Sequence, residues 1–509
     1  MDHNFLRKKS FWSIFFLYQI LIINSELFTS YYYFLSIIVF ILNVCPIYFY
    51  YLNYQRIDYI PTYYYTHIYF FLCYSLALFF PEFVIDIFTN DTRINDVLRS
   101  YLSYSDQIVN YQYKIFINAL EIYIIGLFFF NLGNYLVEFF LKKKIKTNKT
   151  FEFTENRIDV LILGISSYFI CLVLLFNNDL EIVKKIYQIK YPLTYLSILS
   201  IQLFIIYKKN LSIFFKILLY FLIFSIVFLE MLDGSIANSM LYLISVYLLN
   251  FLVTKKIYFK IIICIFILGT FIHAFKYEYR NVVWGEKHIN TSLSNYEYAK
   301  QIAKKDLDLL DKSKIFLKVY SDQIFNFNLN QTLKAKKNFV TRNLNRLMHS
   351  YQSLIVVTAL SPEIVPFWDG HSYKIFITKL IPRVIWQNKP SDTIGNSFGT
   401  RYFALYPTDD VTSWNMPVLN EFYVNFGLLG IIVGMLLLGM LFKFLPLILY
   451  YRYNNFLFLI LFITLYPLFY LESHLSLNFG AVIQTFVFLT VYIFLYKFIF
   501  IKKVLLIKK

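Results

Sequence analysis

Apolar runs near the length of a bilayer-crossing helix recur from one end of this chain to the other, and they leave it few ways to fold. A helix rises ~1.5 Å per residue, so about 20 apolar residues cross a hydrocarbon layer ~30 Å thick. Such runs lie at 10–27, 31–53, 61–80, 115–140, 158–177, 192–207, 211–231, 238–254, 258–275, 427–449, 456–471 and 479–499. With 58% hydrophobic and 21% aromatic residues, a water-soluble fold would have too little polar surface to cover them. In lipid each backbone N–H and C=O must be satisfied within its own segment, which a helix achieves. The expected fold is all-α: a polytopic integral membrane protein of about twelve transmembrane helices, with one large outer loop containing short amphipathic helices.

Charge orients the runs. Basic residues gather in alternate connections, among them Lys142, Lys143, Lys144, Lys208, Lys209, Lys255, Lys256, Lys502 and Lys503, while acids outnumber bases in the other short connections. This alternation follows the positive-inside rule and places both termini on the cytoplasmic side of the membrane. The formal net charge of +17 is thereby explained by topology, and nucleic acid is not an expected partner. Cys45, Cys73, Cys171 and Cys264 all lie in apolar runs, so neither a disulfide framework nor a Cys-based metal site is expected. Arg7, Lys8 and Lys9 before the first run imitate a signal peptide, but no small-residue cleavage site follows and an uncleaved helix is expected. Inside the runs, Glu121, Glu138 and Lys216 are costly unless paired, hydrated or snorkelling; Glu230 and Asp233 fall near an outer end.

The chain reads as one integrated domain in three parts: a nine-helix part at 1–275, a large outer loop at 276–426 and a three-helix part at 427–509. The loop holds 151 residues, too many for a connection, and function is expected there. Its first half, Lys287 to Asn330, reads as an amphipathic helix with Ile302, Leu309, Leu310, Phe316 and Leu317 on one stripe. Asp306 and Asp308 resemble a metal-holding acid pair, but two residues apart on a helix they diverge, and a solvated face is the expectation. Leu347 to Leu360 is an apolar run too short to span, and a second short helix is expected from Tyr373 to Trp386, with a turn at Trp368-Asp369-Gly370-His371 between them. Gly370, Pro390, Gly395, Gly399 and Gly427 are the expected shapers of this half, and Gly430 with Gly434 forms a GxxxG pair suited to close helix packing.

Arg342, Arg346, Arg383, Lys389 and Arg401 fall on segments expected at the outer leaflet surface. Arg pairs with phosphate through forked, charge-assisted hydrogen bonds, so the cluster suits a lipid-linked phosphate or pyrophosphate; binding of membrane lipid headgroups or pairing with local acids is the alternative.

Three stretches, IPRVIWQNKP at 381–390, GNSFGTRYF at 395–403 and NEFYVNFGLLGIIVGMLLLG at 420–439, carry a family likeness. Within the stretch from Arg346 to Gly439, roughly a fifth of the chain, they resemble bacterial oligosaccharide repeat-unit polymerases of the O-antigen polymerase (Wzy) type. Gly234-Ser235-Ile236 departs from the family pattern, in which Arg follows a Gly-small pair. The resemblance implies a membrane-embedded, metal-independent, cofactor-free glycosyltransferase similar to the multispan GT-C-like enzymes. It would polymerise undecaprenyl-pyrophosphate-linked oligosaccharide repeat units into lipopolysaccharide O-antigen, capsule or exopolysaccharide at the periplasmic face, with a flippase and a chain-length regulator as partners. On that basis Arg346, Arg383 and Arg401, with Lys389, are expected to hold the pyrophosphate, and Glu421 or His349 to serve as the base; His371 and His474 are further outer-side candidates. An O-antigen ligase uses the same donor and stays open, as does a transporter, although the large loop after the ninth run leaves no two matching halves.

Overall fold

The computed structural model describes residues 3–24, 29–53, 62–81, 108–141, 157–176, 189–208, 210–232, 236–274, 309–325, 332–381, 393–409, 412–453, 455–465 and 471–500, with 84, 94, 96–97, 279, 386, 388 and 468. Among these residues the structure is helical, without a β-strand. In chain order the helices are α1 His3–Ile23, α2 Ser30–Val39, α3 Cys45–Asn53, α4 Thr62–Cys73, α5 Ile108–Leu141, α6 Arg157–Phe176, α7 Lys190–Tyr207, α8 Ile213–Leu232, α9 Ile236–Thr254 and α10 Phe259–Ala274. They continue with α11 Leu309–Phe325, α12 Thr332–Leu360, α13 Phe376–Leu380, α14 Ile394–Arg401, α15 Val418–Arg452, α16 Asn455–Thr464 and α17 Leu475–Phe500. Every apolar run named above has a helix on it. Six segments are long and apolar enough to cross a membrane: Ser30–Leu52, Tyr113–Leu141, Ile158–Phe176, Ile213–Leu232, Val418–Tyr451 and Leu475–Tyr496. The chain is thus an all-helical membrane protein.

Two compact units divide it, residues 1–152 with 345–509, and residues 153–344.

In the first unit α5 and α15 pack along each other at glycines. Gly133 meets the backbone of Leu436, and Gly439 meets the backbone of Phe130, so a side chain at either position would drive the helices apart. Two acids within α5 have partners: Glu138 lies 3.2 Å from the Lys443 ammonium of α15, and Glu121 accepts the Tyr31 hydroxyl at 2.6 Å. A π-helical turn at Phe40–Val44 joins α2 to α3 and carries the buried Asn43. The Asn43 amide donates to Ser75 Oγ at 2.9 Å, and its oxygen faces His67 Nδ1 at 2.8 Å. The other ring nitrogen of His67 faces Asn131 Oδ1 at 3.1 Å, which extends this buried polar network to α5.

α15 is two helices. Phe426 (φ −140°, ψ 17°) and Gly427 (φ 58°, ψ −142°) reverse the chain, and the limb before them, Val418 to Asn425, folds back on the limb after them. The Phe422 ring lies 2.5 Å from where a Gly434 side chain would begin, and the Phe422 carbonyl occupies the same place at Gly430. The GxxxG pair therefore receives the chain's own preceding limb rather than a separate helix. Gly427 is required twice over, by its positive φ and by the Phe367 ring 2.7 Å from its Cβ direction. The first limb's last carbonyls are capped in trans: Trp368 N–H donates to Val424 O at 2.9 Å and Asp369 N–H to Asn425 O at 3.2 Å.

In the second unit α7 is buried on nearly every side and packs against α6, α8 and α9. Its Lys190 pairs with Glu230 of α8 at 3.0 Å, both side chains almost fully buried, which removes Glu230 from solvent. α11 packs against α8 through Phe316, with Ile315, Val319 and Tyr320 on the same buried side. Leu310 and Leu317 are exposed, so the apolar residues of α11 occupy two faces and not the single expected stripe. Ile302, Asp306 and Asp308 lie outside the described residues.

Candidate functional site

The chain after Asp410 contains just two acids, Glu421 and Glu472, and the first unit buries both against one turn. That turn, Leu471 to Leu475, opens α17. Val418 N–H donates to Leu471 O at 3.0 Å, and Glu421 Oε2 accepts Leu475 N–H at 2.6 Å. A carboxylate is at home there, because the first N–H groups of a helix are unpartnered and lie at the positive end of its dipole. Glu421 Oε1 accepts the Ser372 hydroxyl at 2.6 Å. Asn425 closes this group, donating to Ser372 Oγ and to the Glu421 carbonyl, both at 2.8 Å. Glu421 is fully buried and each oxygen has a donor, so it ties the first limb of α15, the 371–375 turn and α17 together. Burial, and then the Glu421 carboxylate, raise the Tyr373 phenol above its ordinary range and keep it protonated.

Glu472 organises the second group. It accepts Arg346 Nη1 and, at 3.0 Å, the amide of Asn415. The Arg346 side chain is 34% exposed and that of Glu472 only 4%, so the carboxylate anchors a guanidinium that still reaches solvent. His349 lies one helical turn along α12 and stacks on Trp414, with ring centroids 5.8 Å apart. Burial depresses its pKa from the ordinary 6.5; Arg346 adds to the effect and Glu472 opposes it, so the imidazole is neutral near pH 7. Tyr69 of α4 shares a 3.0 Å hydrogen bond with Ser350, and Tyr74 donates at 3.2 Å to Asn420, whose amide donates to the Ser350 carbonyl, so both support this part of α12.

Aromatic contacts lead from here to the second described arginine. Trp414 stacks on Phe398 at 4.7 Å, Phe398 meets Trp368 at 6.4 Å, and Arg401 lies over Trp368 at 5.9 Å. Gly395 and Gly399 make the stacking possible, because α14 accepts Ser413 and Trp414 where side chains would otherwise stand; at Gly399, Trp414 Cβ is 2.9 Å away. Arg401 donates from Nη2 to Pro366 O at 2.6 Å, while its buried Nε has no partner. No carboxylate pairs with it among the described residues. The neighbouring Tyr402 phenol is pushed up to about 12 by burial, with Ser361 and Arg401 acting in the other direction.

The structure therefore brings Arg346, His349, Arg401, Glu421, Gly395, Gly399 and Gly427 into one region of one unit. Gly370 (φ 81°) forms the turn before His371, which is exposed beside Trp368, whereas His474 is buried at the start of α17. Arg383, Lys389 and Pro390 lie outside the described residues, as does the Arg342 side chain. Glu472, Asn415, Ser372 and Trp414 were not foreseen. The available signal was the scarcity of acid: a lone Glu in the short turn between two apolar runs marks a site that needs a counter-charge. No family model matches the chain, and no curated protein or solved structure matches it.

Proposed function

We propose that the chain is a membrane-embedded glycosyltransferase that joins undecaprenyl-pyrophosphate-linked repeat units into surface polysaccharide at the outer face of the inner membrane. Twelve spans, cytoplasmic termini and an outer 276–426 segment belong to the same proposal. The observation that carries it is a neutral, partly buried His349 one helical turn from Arg346, both within the field of Glu472, beside a second guanidinium, Arg401, that has no acidic partner among the described residues. In this reading the acceptor sugar hydroxyl attacks the anomeric carbon of the donor and gives its proton to the His349 imidazole. The bond from that carbon to the pyrophosphate oxygen breaks, and undecaprenyl pyrophosphate departs with the electron pair. Arg346 and Arg401 balance the charge that collects on it. Glu421, with both oxygens engaged, holds the elements in place and is not the base.

A strain lacking the chain tests the proposal. Surface glycan reduced to a single repeat, restored by the wild type and not by Arg401→Gln, is the expected outcome. Bare lipid A core with accumulated lipid-linked polymer would identify a ligase instead, and unaltered polymer would exclude both.

A further inference from the structure

Exposed apolar residues on α8 form a lipid-facing stripe, Ile217, Phe221 and Phe224, spaced three and four residues apart on a membrane-length helix. The next residue on that stripe is Phe228, whose ring meets Phe316 of α11 edge-on at 5.7 Å. α11 thus lies across the lipid side of α8 near its end. It is fixed there: Phe316 also packs on Tyr279 at 5.4 Å and on Tyr320 at 4.3 Å, and Tyr320 donates to the Ile272 carbonyl at 2.9 Å. The opposite side of α11 is not polar throughout. Leu310 and Leu317, seven residues apart on one line of the helix, are 60% and 64% exposed, and Lys314 and Lys318 are exposed beside them. Lys314 meets only Asp311 of its own helix, at 3.7 Å on an exposed surface where such a pair holds a lysine weakly.

We propose that α11 is an interfacial helix seated in the phospholipid headgroup layer, with Leu310 and Leu317 entering the acyl boundary and Lys314 and Lys318 on headgroup phosphates. Two observations commit the occupant to lipid: continuity with the lipid-facing stripe of α8, and lysines flanking an apolar pair, the arrangement that suits the headgroup boundary. The consequence is that α11 fixes the depth of the segment following α10, and so the level at which the chain leaves the bilayer.

The test uses the full chain in nanodiscs of phosphatidylcholine and phosphatidylglycerol. Nitroxides are placed singly by Leu310→Cys, Leu317→Cys and Asp311→Cys in a Cys264→Ser background, since Cys264 is the exposed native thiol. Collision with oxygen several-fold stronger than with a water-soluble nickel chelate is expected at 310 and 317, with the reverse preference at 311. Equal nickel access at all three positions would overturn the proposal. So would shielding of 310 and 317 from both reagents, which would mean that protein covers this face. Because all three positions are on the surface, loss of folding is not a confounding outcome.

Discussion

Glu472 faces Arg346 directly and acts on His349 through the same charge, so removing either partner should move His349 in opposite directions. In Glu472→Gln the carboxylate that favours the imidazolium is gone, and the His349 pKa falls further below 6.5. In Arg346→Gln the opposing cation is gone, and the pKa rises. Two charges at contact interact by about 4 kcal/mol at an effective dielectric of ~20. Solvent at the exposed third of Arg346 and the retained Asn415 hydrogen bond reduce the net loss in Glu472→Gln to roughly 2 kcal/mol. In a unit of this size that lowers the unfolding midpoint by a few degrees, measured on the detergent-solubilised chain. If His349 is the base, the acid limb of the polymerisation rate moves to lower pH in Glu472→Gln and to higher pH in Arg346→Gln. Both limbs shifting the same way, or neither moving while the midpoints fall, would refute the coupling.

His349→Gln should leave the midpoint nearly unchanged and cost about 10²–10⁴ in rate, the usual share of a general base. Glu421→Gln should do the opposite: its NH2 must displace either the Leu475 N–H contact or the Ser372 hydroxyl donation, leaving one donor without an acceptor at a cost of roughly 1–3 kcal/mol, while chain lengthening persists wherever the protein folds. Arg401→Gln should cost about 10² in rate without loss of folding, whereas Gly427→Ala should deplete folded protein, since φ 58° and the Phe367 ring both oppose a methyl group. Stability itself should depend on pH through His349. Its folded-state pKa is depressed, so its contribution is complete above the unfolded value near 6.5 and is lost as pH falls toward the folded value; a pH series of unfolding midpoints reads this, and His349→Gln should flatten it.

Much of the helical layout was legible because the apolar runs are long and their boundaries are marked by charge. The site was legible in part. Arg346, His349, Arg401 and Glu421 were singled out, but the pairing that defines their chemistry was not, because Glu472 lies 126 positions from Arg346 and no local pattern links them. Gly430 and Gly434 were read by spacing alone, and spacing does not reveal that Phe426 and Gly427 reverse the chain and bring Phe422 onto them. On α11, Phe316 and Leu317 are neighbours in sequence and stand 100° apart on a helix, so counting both into one stripe merged a packed face with an exposed one.

The proposed activity requires the site to face away from the cytosol. Asn345 is exposed beside Arg346, and Asn345→Cys treated with a membrane-impermeant maleimide in intact cells reports its side without knowledge of any substrate. Modification from the periplasm, with Lys256→Cys protected until the inner membrane is opened, is the expected result. Modification of position 345 only after opening would put Arg346, His349 and Glu472 in the cytosol and leave them no undecaprenyl-linked polymer to extend.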